Sequence, residues 1–155
     1  MKVENILPKE QFIAWELASH DTLDVKRCYV DIAGDLVSGI LLSQIIYWHL
    51  PNKEGKSKLR VQHKGDYWLA KKREAWWDEC RITAKQFDRA SAILKNKGLI
   101  EIGLFKFNGA PMKHIKLNWD KLSLVLDKLL NIGDIIEKVK SILPKGEDGN
   151  LPMNI

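Results

Sequence analysis

The sequence predicts a mainly α-helical protein with a small antiparallel β element, the α+β class, and three observations carry that expectation. The run LVSGILLSQIIYWHL at 36–50 is apolar nearly all round over a helical length, as a central core helix is. Residues 83–97 open with Thr83 and Gln86 in capping-box spacing and close at Gly98, so a helix is delimited at both ends. LIEIGLFKF and MKHIKLN alternate on either side of Asn108-Gly109-Ala110-Pro111, and Asn-Gly between alternating runs marks a tight hairpin.

Taken in order, PKEQFIAWELAS at 8–19 reads as a short helix, with Pro8 suited to the first turn and Phe12, Trp15 and Ser19 at helical spacing. Residues 20–31 are mixed, with an extended piece expected at 25–30. Asp35 is placed to cap the core helix and Pro51 to close it. Gly39 inside that helix costs about 1 kcal/mol relative to Ala, which points to a close neighbour. PNKEGKSK at 51–58 is a polar loop, and LRVQH and YWLAK around Lys64-Gly65-Asp66 fit a short hairpin. REAWWDEC at 73–80 fits a short helix with no capping side chain at Lys72. A two-residue break, Arg81-Ile82, leads into the capped helix. Pro111 must occupy an unpaired position, so the second hairpin's tip should be exposed. After Trp119 the pattern is helical to about Leu143, and the remainder reads as a flexible tail.

Long helix, strand, short helix, tight turn, capped helix, strand, Asn-Gly turn, strand is the element order of a winged helix-turn-helix. The expected organisation is an N-terminal helical extension at 1–30, the winged domain at 31–119, a C-terminal helix at 120–143 and a flexible tail at 144–155.

Helix 83–97 should have two faces. At 100° per residue Phe87, Ala90 and Leu94 cluster with Ser91 beside them, and Lys85, Arg89, Ala92 and Asn96 lie opposite with Asp88 at the edge. Lys, Arg and Asn reach base edges or phosphates, and Ala92 permits close backbone approach. Thr83, with Lys71, Lys72, Arg73 and Arg81 at the helix ends near the turn, is placed for phosphate. Lys106, Asn108, Lys113 and His114 form a basic wing. Charge follows the same division. Residues 51–97 carry 13 basic and 6 acidic side chains, against 4 and 7 in residues 1–50 and 8 and 7 in residues 98–155. A positive middle third is the footprint of a phosphate-facing surface. An ordinary lysine-rich face has the same composition, so the element order has to decide between them.

The expected partner is DNA, duplex in preference to single strand. Among the six tryptophans, Trp48, Trp68 and Trp119 fall on apolar faces and are expected in the core, while adjacent Trp76 and Trp77 cannot face the same way. Leu122, Val125, Leu129, Ile132, Ile136, Val139 and Leu143 follow the 3-4 spacing of a coiled-coil seam, so homodimerisation is the favoured use of the C-terminal helix, with packing back on the chain's own N-terminal helix as the alternative. Leu124, Leu126, Leu130, Ile135 and Ile142 widen that apolar surface, and Gly133-Asp134 is a candidate break in it.

No enzyme, cofactor or metal is expected, because paired catalytic carboxylates, a nucleophile elbow, a phosphate loop and metal-ligand spacing are all missing. His20, His49, His63 and His114 are scattered, and Cys28 and Cys80 read as reduced thiols. No segment reaches the ~18 apolar residues of a membrane span. MKVENILPKEQ has no secretory layout, so a cytoplasmic, membrane-free protein is expected.

The segments SQIIYW, YWLAK, AWWDE, ITAKQFDRA, KNKGLIE and FKFNG, across about residues 29–119, resemble the N-terminal winged-helix domains of phage and mobile-element replication proteins, the replisome organisers and DnaD-type primosomal proteins. The resemblance implies a DNA-binding or self-associating module without catalytic residues, working with other replication proteins at initiation. A winged-helix transcriptional regulator, or a replisome interaction module that leaves DNA untouched, are the alternatives.

Overall fold

The computed structural model describes residues 6–142. Residues 1–5, Leu143 and the expected tail at 144–155 lie outside the described residues. The elements are α1 (Lys9–Ala18), α2 (Arg27–Ala33), α3 (Leu36–His49), β1 (Val61–His63), β2 (Asp66–Ala70), a 3-10 turn (Arg73–Ala75), α4 (Trp76–Cys80), α5 (Ala84–Asn96), β3 (Ile100–Phe107), β4 (Ala110–Leu117), α6 (Trp119–Leu130) and α7 (Ile132–Ile142). The architecture is α+β, with four strands in one antiparallel sheet ordered β1-β2-β4-β3.

The core is built on α3. The Asp35 carboxylate accepts from the Ser38 backbone N–H at 2.9 Å, which satisfies one of the donors a helix start leaves unpaired. Leu41, Leu42 and Ile45 are fully buried, each contributing about 1.5–3 kcal/mol by leaving water. The extended piece expected at 25–30 is not there, because Arg27–Ala33 form α2. Tyr29 and Val30 favour strands locally, but burial of Ile32 and Ala33 in the core outweighs that preference. Gly34, at φ 98°, ends α2 in the left-handed region, which glycine adopts without strain. The reason for Gly39 is also visible: a Cβ there would lie 2.7 Å from Val30 Cα.

In the first hairpin Val61 faces Trp68, and the end of β2 continues onto β4, Leu69 opposite Ile115. β3 and β4 pair from Ile100 opposite Leu117 to Phe107 opposite Ala110. Asn108 and Gly109 both have positive φ, 52° and 85°, as the preferred two-residue hairpin turn requires. Pro111 faces Lys106, one pair beyond the closing pair, where the β3–β4 ladder needs no N–H from β4. Residues 108–111 are all exposed.

Of the described terminal helices, α1 and α7 contribute little to the core. α1 forms as expected but buries no residue, and its Phe12 and Trp15 are half exposed. The C-terminal stretch breaks at Asn131, which takes a left-handed φ of 52°, two residues before the expected Gly133-Asp134. A left-handed residue interrupts the helix, so the 3-4 spacing does not form one continuous seam. Leu122 is buried and Val125 half-buried against the domain's own core, which removes both from an intermolecular seam. Leu129 and Ile136 are exposed and Val139 half-buried; the Ile132 side chain is outside the described part. Trp48 and Trp68 are half-buried. Trp119, expected in the core, is 47% exposed as the first residue of α6, its ring edge-on to His49 at 6.5 Å. No single helix among the described residues is long and apolar enough to cross a membrane.

Candidate nucleic-acid interface

α5 is fixed at its start by reciprocal hydrogen bonds. Thr83 N–H donates to Gln86 Oε1 at 2.9 Å and Gln86 N–H to Thr83 Oγ1 at 3.1 Å, so the capping box expected from Thr83 and Gln86 is formed. Ile82, 2% exposed, anchors the preceding turn in the core. Phe87, Ala90, Ser91 and Leu94 are buried, with Phe87 stacked on Trp76 at 5.5 Å. Lys85, Arg89, Ala92 and Asn96 are all exposed. The helix therefore carries one inward apolar face and one outward face of two cations, an amide and a methyl.

Around that face the expected cations have different surroundings. Lys72, Lys106, Asn108 and Lys113 are exposed. Thr83 is exposed, but its hydroxyl oxygen is occupied by the cap. Arg73 donates from Nη2 to Asp88 Oδ2 at 2.6 Å and from Nε to Asp88 Oδ1 at 3.1 Å, and its Nη1 reaches Glu74 at 3.3 Å. Arg89 Nη1 lies 3.3 Å from Asp35 Oδ2. The Arg73 bonds hold the Asp88 carboxyl below the usual carboxylate range. The Ser38 N–H, followed by Arg89, does the same for Asp35. Arg81 takes φ 62° and folds its guanidinium back, donating to Trp77 O at 2.8 Å and Asp78 O at 3.2 Å while lying 5.5 Å from the Trp77 ring centroid. Of the tryptophan pair, Trp76 is fully buried and Trp77 is 48% exposed.

Two expected contacts are corrected. Lys71 is half-buried, ion-paired with Glu79 and set 4.9 Å from the Trp76 ring and 5.3 Å from the Trp48 ring. The second Glu79 oxygen accepts from Trp48 Nε1 at 2.6 Å, so Lys71 is a structural cation. It borders a groove of about 720 Å³ beside α3, shared with Tyr29, Tyr47 and Trp48. His114 is fully buried: alternation along β4 places it on the face opposite Lys113, Ile115 and Leu117, where aromatic rings cover it. Its Nδ1–H donates to Met112 O at 2.8 Å, and its ring lies among His63, Phe105 and Phe107.

Three contributors escaped the sequence reading. Lys116 bridges Glu101 at 2.9 Å and Asp66 at 3.1 Å, pinning β4 to its neighbours; only the period-2 exclusion of Lys116 from the Lys113 face hinted at it. His49 donates from Nδ1 to Ile45 O at 2.8 Å and accepts from Leu117 N–H at 3.1 Å. The partners of Asp35 and Asp88 lie 54 and 15 residues away, a separation no local pattern marks. Among the described residues no group of three or more His, Cys, Asp or Glu side chains is arranged to hold a metal ion. No family model matches the chain, and no curated protein matches it.

Proposed function

We propose that residues 31–119 are a winged helix-turn-helix domain that binds duplex DNA, with α5 in the major groove and the β3–β4 hairpin as the wing along the backbone. α3, β2, α4, α5, β3 and β4 follow in the order that fold requires. One observation carries the reading: a capped helix after a tight turn anchored by buried Ile82 presents Lys85, Arg89, Ala92 and Asn96 outward. Lys72, Lys106 and Lys113 would supply phosphate contacts beside it. The process, replication initiation of a phage or mobile element, rests on the resemblance of residues 29–119 to replication proteins.

Anisotropy of labelled duplex and single-stranded DNA over a salt series tests this. The Lys85→Ala/Arg89→Ala variant should bind more weakly and lose about one unit of log–log salt slope per abolished phosphate contact. Unchanged affinity would remove α5 from the interface. A second reading, a protein-binding module, is favoured by the pairing of Arg73 and Arg89 with carboxylates and by exposed Leu129 and Ile136; it predicts no salt-dependent DNA binding. A transcriptional regulator would differ in selecting one defined operator.

A further inference from the structure

Asp88 stands half-buried at the edge of the outward face of α5. An aspartate is a poor former of helix interior, and its exposed ion pair adds little to stability. It caps no backbone group: both carboxylate oxygens bond to Arg73, and Lys113 on β4 lies close enough to add to the pull on its charge. A single carboxylate thus occupies the donor fork of one cation on the side of the domain whose cations would face phosphate. A phosphate that took Arg73 would have to displace it and would meet a negative charge beside the contact. Asp35 opposes Arg89 in a similar way, but it also caps α3, which is sufficient reason for its presence. Asp88 has no comparable structural task.

A fork-to-fork pair with arginine also holds the carboxylate rigid while leaving acceptor capacity on both oxygens. In the major groove a carboxylate is attracted by the exocyclic amino groups of cytosine and adenine and repelled by the carbonyl oxygens of guanine and thymine. We propose that Asp88 is a specificity-determining residue: held by Arg73, it accepts from a base amino group and suppresses adhesion to phosphate where no such group is present. This rests on the DNA-binding reading of α5 and names what that face selects. Discrimination then comes from a repulsive element beside the attractive ones.

The test compares the full chain with Asp88→Asn, which keeps the shape and removes the charge, and with Lys85→Ala/Arg89→Ala. Each binds a random-sequence duplex over a salt series and selects from a randomised duplex pool. Asp88→Asn should bind the random duplex about tenfold more tightly, the scale of one charge-assisted interaction, with a slope steeper by about one unit. It should also lose a cytosine or adenine preference at one position that the wild type shows. Random-duplex affinity that stays level or falls, or a base preference identical to wild type, overturns the assignment. If Asp88→Asn behaves this way but Lys85→Ala/Arg89→Ala binds as the wild type does, the α5 interface fails and the assignment fails with it. A merely structural Asp88 would lower the unfolding midpoint and leave base preference unchanged.

Discussion

Gly39→Ala is the sharpest test of how α2 and α3 meet. Taken alone, the substitution should help, since Ala is about 1 kcal/mol better than Gly within a helix. The structure opposes it: the added Cβ would stand 2.7 Å from Val30 Cα and 2.8 Å from Val30 Cγ2, against the ~3.5–4.0 Å of ordinary carbon contact. α2 must therefore retreat by about 1 Å, and overpacking of that kind costs about 1–3 kcal/mol as well as loosening Ile32 and Ala33. Set against the helical gain, this leaves a net loss of up to about 2 kcal/mol and a melting midpoint lower by up to ~8 °C. Trimming the neighbour should not restore it, because the nearest atom is backbone: Gly39→Ala/Val30→Ala removes the Cγ2 clash and keeps the Cα clash. Urea unfolding of the wild type and the two variants measures this. A Gly39→Ala protein more stable than the wild type by the full helical gain of about 1 kcal/mol would show that α2 is not pressed against α3 and that the glycine has another cause.

Other consequences follow from single contacts. Thr83→Ala removes one half of the capping box and should cost about 0.5–2 kcal/mol by denaturant unfolding; a Thr83→Ser variant at wild-type stability would assign the loss to the hydroxyl. Burial holds the His49 imidazole below its ordinary pKa, so the unfolded chain binds the extra proton first as pH falls. Stability from His49 should be complete above the ordinary histidine value, about 6.5, and decline as pH drops through the lower folded value. Midpoints between pH 7.5 and 5 read this, and an His49→Gln protein with the same pH slope as wild type would remove His49 as the cause. Arg81→Gly relieves the left-handed φ, a gain of about 1 kcal/mol, but loses the bonds to Trp77 O and Asp78 O and the stack on Trp77. Stability should change little, while Trp77 emission shifts to the red; unshifted emission would mean that the stack does not form in solution.

Where the chemistry was local, the residues could be read directly. Thr83 and Gln86 satisfy each other across one turn, Asp35 caps the residue three ahead, and Asn108-Gly109 needs only its own backbone. The misses share a different physics. A strand-like stretch became α2 because its packing partner, Gly39, is nine residues beyond Val30 and its role appears only in contact. Lys71 and His114 were grouped with their sequence neighbours as surface charges. Glu79 and two indoles draw Lys71 inward, and strand alternation alone should have turned His114 away from Lys113. The heptad-like spacing after Trp119 was real as a pattern, but Leu122 and Val125 serve the domain's own core. For the outward face of α5, exposure could be read from the 3.6-residue period, whereas the pairing of Arg89 with Asp35 could not.

The uneven burial of the terminal helices gives the chain more than one melting behaviour. α1 has no buried residue, and α7 presents Ile135, Ile136 and Ile142 to solvent. Their amides should exchange with solvent through local opening, far below the free energy that releases α3 and α5. Trp15, on α1, will then report fraying, while Trp76, enclosed against Phe87, reports loss of the core. A single fluorescence transition summed over six indoles would blur two processes that hydrogen exchange, residue by residue, keeps separate.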